Sequence, residues 1–270
     1  MLEIFKAIIL GIVQGITEWL PVSSTGHLIL VEQFVKFDLS QVFVSTFMVV
    51  IQLGSILAVL TLYFKKLNPL DSSKTEKEKK DTINLWIKVI IAVIPSGILG
   101  VLFDDAIDSL FFNPTTVSIT LIVYGVIMIL IENRNKKPKV NDFSQLTYKL
   151  ALGIGLFQCL ALIPGTSRSG ATIIGAALLG TSRYVAAEFS FFLAIPTMFG
   201  ASALKLVKTG AAFSGFEWLV LGAGFVTAFI VSVFAIKFLM DYIKKHDFKV
   251  FGYYRIVLGI IVFAYFTFLI

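Results

Sequence analysis

Two short polar stretches interrupt an otherwise apolar chain, and each contains residues that could do chemistry. The first reads EWLPVSSTGHL at residues 18–28 and includes a carboxylate, Glu18, and one of only two histidines, His27. Ionisable groups inside apolar segments are costly and are usually retained for function. Glu18 and His27 are therefore predicted to belong to a functional site.

A break in the helix would bring these residues together. Pro21 ends the preceding helix because it lacks a backbone N–H and restricts the residue before it. Ser23 or Ser24 can cap the next helix, whose first turn then contains His27. The hairpin is predicted to place Glu18, Ser24 and His27 near one tip.

The second stretch, LIPGTSRSGAT at residues 162–172, combines a Pro-Gly break with one arginine and four hydroxyl side chains. Ser167 or Ser169 could cap the helix after the break, and the free N–H groups and positive end of that helix attract anions. Arg168 adds a planar fork that suits phosphate. These features predict a phosphate cradle. The residues assigned to it are Gly165, Thr166, Ser167, Ser169 and Thr172, together with Ser23 and Thr25 from the first tip.

A Glu–Ser–His set facing an anion cradle is what phosphoryl transfer requires. The nucleophile stays open at this point. Ser24 could attack with His27 or Glu18 as the base, or His27 could attack while Glu18 orients its ring. A transporter or lipid flippase is the alternative, since broken helices in repeated halves are a transporter design. A non-catalytic lipid-binding or scaffold protein would explain the apolar composition but not the motifs.

The composition indicates which elements must position the two stretches. Of the 270 residues, 57% are hydrophobic and 15% are charged, whereas soluble domains have about 25% charged residues. Long apolar runs recur from end to end, so the chain is predicted to be an all-α polytopic membrane protein. The six predicted spans are 42–64, 85–103, 115–131, 184–204, 217–239 and 253–270.

The remaining apolar segments form two broken hairpins. Residues 2–20 pair with 22–35, and residues 148–163 pair with 170–181; a proline followed by hydroxyl residues breaks each pair. Neither hairpin is a simple span, so each is predicted to be re-entrant.

The two halves of the chain resemble each other. A single membrane domain, 1–270, is predicted to contain repeats at about 1–135 and 145–270, in which Ser24 corresponds to Ser167. Each repeat would comprise one hairpin and three spans. Because three is odd, the second repeat would be inverted relative to the first, with the functional site at the interface.

Positive charge predicts which side faces the cytoplasm. The loops 65–84, 132–149 and 237–255, together with Arg183, carry seventeen lysines and arginines, and the opposite side carries four. Cytoplasmic loops are the basic ones, so both termini and the opening of the site are predicted to face outward. The net charge of +6 thus has a topological explanation, and no nucleic-acid partner is predicted.

Two segments outside the spans also carry expectations. The N-terminus lacks a basic region and a cleavage motif, so it is expected to belong to the mature protein. The charged segment NPLDSSKTEKEKKD, residues 68–81, is expected to be a solvated loop.

At these residues the chain resembles the undecaprenyl-diphosphate phosphatase family of bacterial membranes, the bacitracin-resistance type. The family motifs stand here as QGITE at 14–18, PVSSTGH at 21–27 and PGTSRSGAT at 164–172. The similarity continues through IQLGSILAV, QCLALIPG and SRYVAAEFSF and covers essentially the whole chain. Gln14 stands at a position where the family often has Glu.

The resemblance implies hydrolysis of undecaprenyl diphosphate to undecaprenyl phosphate and inorganic phosphate, which recycles the lipid carrier for cell-wall synthesis. The alternative becomes a transporter or flippase of an anionic polyprenyl lipid. Catalytic roles are implied for Glu18, Ser24, His27 and Arg168. A divalent cation, Mg²⁺ or Ca²⁺, would sit on Glu18 and the diphosphate, with Gln14 nearby. The protein would lie in the bacterial plasma membrane, with a polyprenyl diphosphate lipid as substrate and a second copy as a candidate partner.

Overall fold

The computed structural model of the chain describes residues 1–134, 136–209 and 213–268. Within these residues, six helices are long and apolar enough to cross a membrane. They are α3, α5, α6, α9, α10 and α11 in the series α1 (Leu2–Thr17), α2 (Ser24–Glu32), α3 (Gln41–Leu62), α4 (Phe64–Leu67), α5 (Glu76–Phe111), α6 (Pro114–Asn133), α7 (Tyr148–Gln158), α8 (Arg168–Leu178), α9 (Arg183–Thr209), α10 (Gly215–Tyr242) and α11 (Lys249–Phe268). The prediction of an all-helical membrane protein with six spans is confirmed.

Both predicted breaks lie between paired short helices, α1 with α2 and α7 with α8. The hydroxyl of Ser23 accepts a hydrogen bond from the Gly26 N–H at 3.2 Å, and that of Ser167 accepts one from the Gly170 N–H at 3.1 Å. Both cap residues have positive φ, 76° and 72°. Ser23 therefore corresponds to Ser167, and the predicted match of Ser24 with Ser167 is wrong by one residue. Only the position of the capping hydroxyl relative to the first turn determines this register.

The first helix of each half packs against a membrane-spanning helix of the other half. Helix α1 packs on α10, where a Cβ added to Gly11 would lie 2.6 Å from the Gly224 carbonyl oxygen. Helix α7 packs on α5, where a Cβ added to Gly155 would lie 2.0 Å from the Ala92 carbonyl oxygen. Small residues permit such close approach of two membrane helices. This exchange is what a two-fold relation between the halves would produce; the inverted repeats and the re-entry of the hairpins stay predictions.

The charged segment 68–81 is not a loop throughout. Helix α5 already begins at Glu76, so the expectation is wrong for the second half of the segment. Thr75 and Glu78 form a capping box. The Glu78 N–H donates to the Thr75 hydroxyl at 3.3 Å, and the Thr75 N–H donates to the Glu78 carboxylate at 2.8 Å. This reciprocal pairing starts the helix ahead of its apolar residues.

The charge analysis places Arg255 in a loop of the basic side, and this prediction is also wrong. Helix α11 begins at Lys249 rather than at residue 253, and the Arg255 side chain within it is fully buried. Without Arg255 the basic side still has sixteen lysines and arginines and the opposite side has four, so the predicted orientation of the chain is unchanged.

Candidate active site

The two tips meet through a buried ion pair. Arg168, the first residue of α8, donates from Nη2 to Glu18 Oε1 at 3.1 Å. The side chains are only 11% and 6% exposed, respectively. Buried charges are costly unless paired and hydrogen-bonded, so each residue requires the other. The structure thus brings together Glu18 and Arg168, as predicted from two motifs far apart in the sequence.

The second oxygen of the Glu18 carboxylate faces a hydroxyl. Glu18 Oε2 accepts hydrogen bonds from Ser24 Oγ at 2.9 Å and from Gln14 Nε2 at 3.0 Å. Gln14 lies in the last turn of α1 and Glu18 is its C-terminal cap residue. Their side chains project from the same face, as the four-residue spacing predicts. A hydroxyl whose proton points at a carboxylate is the arrangement of a nucleophile with its base.

Helix α9 and the first hairpin hold the guanidinium of Arg168. Its Nη1 donates to the carbonyl oxygen of Ser190 at 2.7 Å and to the Ser190 hydroxyl at 3.2 Å. The guanidinium carbon lies 5.5 Å from the centroid of the Trp19 ring, within cation–π range. The Nε–H is buried and has no hydrogen-bond partner among the described residues. Neither Ser190 nor Trp19 is singled out by the sequence analysis, although Ser190 lies in SRYVAAEFSF and Trp19 in the first polar stretch.

Two of the predicted phosphate ligands form hydrogen bonds that connect α8 to other elements. The Thr172 hydroxyl lies 2.7 Å from the Ser190 hydroxyl and 2.9 Å from the Arg168 carbonyl oxygen. The Ser169 hydroxyl lies 3.2 Å from the Glu18 carbonyl oxygen and 3.3 Å from that of Leu20. It therefore joins α8 to the first break, and Ser167 rather than Ser169 caps the helix.

The other predicted phosphate ligands take several roles. The hydroxyls of Ser23 and Ser167 are the helix caps described above. Gly165 has a φ of +86°, and a Cβ there would lie 2.1 Å from the Thr120 hydroxyl, so both conformation and space favour glycine. Thr166 is fully buried, and Thr25 lies half-buried in the first turn of α2.

His27 directs its hydrogen bonds away from the Glu18–Ser24 pair. Its Nδ1 lies 2.7 Å from the Ser23 carbonyl oxygen, and because a carbonyl only accepts, Nδ1 is assigned the proton. Nε2 then accepts from the Tyr254 hydroxyl at 2.7 Å. Glu18 and Ser24 thus share a direct hydrogen bond, whereas His27, in the first turn of α2, bonds to Ser23 and Tyr254.

Sequence reasoning missed the contribution of α11. Tyr254 bonds to His27, and its neighbour Arg255 donates to backbone carbonyl oxygens of both breaks. No local motif surrounds these two residues, because they lie on a span of ordinary apolar composition.

Oxygen atoms suited to a divalent cation are few at the site. Among the described residues, no group of three or more His, Cys, Asp or Glu side chains could hold a metal ion. The Glu18 carboxylate and the buried Oε1 of Gln14, which has no hydrogen-bond partner in the described part of the chain, fit the oxygen preference of Mg²⁺ or Ca²⁺. Further oxygens would have to come from a phosphorylated ligand.

Together, the spans and the buried Glu18–Arg168 pair define a multi-pass helical membrane protein with a polar centre between two broken hairpins. The chain belongs to the bacitracin resistance protein BacA family, whose family model matches residues 7–261.

Several named proteins are similar along nearly their whole length. Undecaprenyl-diphosphatase 1 of Clostridioides difficile (strain 630) is 76% identical over 266 residues, which cover 98% of this chain and 97% of the relative. The undecaprenyl-diphosphatase of Acetivibrio thermocellus is 62% identical over 268 residues, covering 98% of each. That of Enterococcus faecalis (strain ATCC 700802 / V583) is 58% identical over 271 residues, again covering 98% of each.

Proposed function

We propose that this protein hydrolyses undecaprenyl diphosphate to undecaprenyl phosphate and inorganic phosphate. The observation that carries the proposal is the Ser24 hydroxyl on the Glu18 carboxylate, beside the Arg168 guanidinium. Family membership and the names of relatives at 58–76% identity support the same reaction. The predicted placement of the site within the membrane explains how a lipid-linked diphosphate would reach it.

In the mechanism that this geometry favours, Ser24 Oγ attacks the terminal phosphorus and its proton passes to Glu18. Glu18 passes this proton to the departing undecaprenyl phosphate. A water molecule then cleaves the phosphoserine, and its proton goes to Glu18 and from there to Ser24 Oγ, which restores the hydroxyl. Arg168 stabilises charge on the transferred phosphoryl group, and the N-terminal ends of α2 and α8 add N–H donors.

His27 as nucleophile is the second route. Its Nε2 lone pair is occupied by the Tyr254 hydroxyl, so that hydroxyl would first have to move. Glu18 would also need to turn from Ser24 toward the ring. The hydrogen bonds therefore favour Ser24, with His27 available to exchange a proton at Nε2.

A divalent cation remains part of the proposal. Glu18 and Gln14 Oε1 would hold it together with diphosphate oxygens, and when bound it would neutralise phosphate charge. Removal of the cation with a chelator should then lower turnover, and Mg²⁺ or Ca²⁺ should restore it.

The test is phosphate release from farnesyl diphosphate and from undecaprenyl diphosphate by purified protein in detergent. Glu18→Gln, purified in the same way, is the control for contaminating phosphatases. Equal release by wild type and control would reject the proposal. Lipid movement across vesicle membranes without release would favour the flippase alternative.

We also propose that the protein lies in the bacterial plasma membrane with both termini and the site opening outward. The charge asymmetry of the loops supports this orientation. A reporter fused after Ile270 that is active only outside the cytoplasm is the expected result, and activity only in the cytoplasm would reverse the topology.

A further inference from the structure

Arg255 connects the two hairpin breaks from a third element. Its Nη1 donates to the Pro21 carbonyl oxygen at 3.3 Å, in the first break. Its Nη2 lies 2.9 Å from the carbonyl oxygens of both Gly165 and Thr166, in the second break. Backbone carbonyls at broken helices lack the usual partner within the helix, so one guanidinium satisfies acceptors on both tips.

This arrangement is expensive for the folded protein. Arg255 is 0% exposed, and no ion pair of residues 1–134, 136–209 and 213–268 includes it. A buried cation without a carboxylate costs several kcal/mol unless dipoles offset it. The guanidinium also approaches the first turn of α8, since a Cβ added to Gly170 would lie 3.1 Å from its Nη1. A cation at a helix N-terminus opposes the positive end of the helix.

An anion bound at the tips would offset both the burial of the Arg255 charge and its repulsion by the positive end of α8. Glu18 neutralises only Arg168, so the centre keeps one uncompensated positive charge from Arg255. A diphosphate between the tips would experience that charge at low dielectric, where electrostatic attraction is strong.

We propose that Arg255 is a positioning residue that holds the two tips in catalytic register and supplies the uncompensated charge that attracts the diphosphate. This inference rests on the proposed function for its kinetic part. Its structural part, the joining of the two breaks, does not depend on the reaction.

The fork of the guanidinium is essential to this role. Lysine would keep the charge, but a single ammonium group on an unbranched stem cannot reproduce two nitrogens reaching carbonyls of two different breaks. Arg255→Lys should therefore separate register from charge, whereas Arg255→Met removes both. Misplacement of reacting groups by about 1 Å can cost about 10²-fold in rate.

Lys88 offers a matched control. It is also a buried cation, 5% exposed, and it donates to a single backbone carbonyl, that of Phe143, at 3.0 Å. It lies outside the hairpin tips, so Lys88→Met should change stability through the same kind of loss without changing the site.

The experiment measures kcat, KM and inhibition by pyrophosphate for farnesyl diphosphate hydrolysis, with thermal unfolding of each variant in detergent. We expect Arg255→Met to lower kcat by about 10²-fold and to weaken pyrophosphate inhibition by about tenfold, because charge is lost. Arg255→Lys should lower kcat while leaving pyrophosphate inhibition near wild type. Lys88→Met should leave both within about twofold.

Amide hydrogen exchange without substrate tests the structural part. Residues 19–26 and 163–170 should exchange faster in both Arg255 variants than in Lys88→Met. Wild-type kinetics in Arg255→Lys, or unchanged exchange at the tips in both variants, would overturn the inference. If Arg255→Met fails to fold, Arg255→Lys decides. A wild-type protein that releases no phosphate would reject the proposed function instead, and the exchange data would still decide whether Arg255 joins the tips.

Discussion

The two hairpins share one backbone device but present different chemistry. Each helix after the break begins with a serine cap at positive φ, Ser23 in one and Ser167 in the other. The residue that follows the cap is Ser24 in the first hairpin and Arg168 in the second. A hydroxyl and a guanidinium thus occupy equivalent positions, and Glu18 accepts a hydrogen bond from each.

Burial separates the hairpins further. All residues from Ser169 to Ala176 of α8 are buried, whereas in α2 only Gly26 and Leu28 are. Other parts of the protein cover α8 from Ser169 to Ala176, and Arg168 at its start donates to Ser190 of α9. The first hairpin is more open and carries the residues assigned to bond making. The comparison shows that the helix after the second break is more deeply buried than the helix after the first break.

The largest expected effect comes from the residue that joins the hairpins. Glu18→Gln removes the base and leaves Arg168 without a counter-charge, so kcat should fall by about 10²–10⁴-fold. Gln14→Glu, one turn earlier on α1, should retain activity because Glu18 remains. Steady-state phosphate release from prenyl diphosphate measures both. Wild-type turnover in Glu18→Gln would show that the shared carboxylate is only structural.

Arg168 tests whether the second hairpin is specialised for charge. Arg168→Ala should cost about 2.7–4 kcal/mol of transition-state stabilisation if it resembles loss of one oxyanion donor. Arg168→Lys should retain part of the activity, since it keeps the charge but loses the fork. Measurement of kcat together with thermal unfolding separates the two roles. Full activity in Arg168→Lys would contradict the assignment.

Ser24 and His27 test how the first hairpin divides its work. Each change to alanine should lower turnover by at least about 10²-fold, as for loss of a nucleophile or an acid–base group. Rapid quenching followed by peptide mapping should find the trapped phosphate on Ser24. A label on His27 would reverse the order of the two mechanisms, and normal turnover in both variants would move the chemistry elsewhere.

Tyr254 should have a smaller effect, through His27 alone. Tyr254→Phe removes the hydroxyl that occupies Nε2 of His27 and keeps the ring. Turnover should fall by less than in His27→Ala, and the pH dependence of kcat should change because the hydrogen bond to the imidazole is lost. Tyr253→Phe, on the neighbouring residue, is the control. An identical pH profile in both variants would remove Tyr254 from the site.

The caps should give the smallest effect and the most direct comparison. Ser23→Ala and Ser167→Ala each lose a cap worth about 0.5–2 kcal/mol of stability and keep the unfavourable φ. Glycine at either position should cost much less, because it relieves the backbone while losing only the hydroxyl. Unfolding in detergent measures all four variants. A stabler alanine than glycine at either cap would contradict the shared backbone device.

Much of the site could be predicted because its signals are local. Pro21 and Pro164 stop helices, nearby hydroxyls start new ones, and apolar runs of span length need no partner to be recognised. Glu18 and Arg168 stood out because charges inside apolar hairpins are expensive. The family motifs then joined these local signals to one reaction.

Three features could not be predicted correctly from the sequence. They are the residue that caps each helix after a break, the first residue of α5 and the position of Arg255. The sequence shows the capping box at Thr75 and Glu78 as T-x-x-E, whereas the charge of the segment favours a loop. Ser23 and Ser24 are both capping residues, and only the backbone geometry distinguishes the one that meets the Gly26 N–H.

The sequence by itself determined the six spans, the two broken hairpins and the residue types at their tips, because each depends on neighbours along the chain. Only the tertiary structure decided three contacts. Ser190 accepts a hydrogen bond from Arg168, and the Tyr254 hydroxyl bonds to Nε2 of His27. Arg255 donates to carbonyl oxygens of both breaks. Those contacts depend on how α9 and α11 are rotated against the hairpins. Helix rotation is set by packing with several other helices at once, and no short stretch of sequence contains that information.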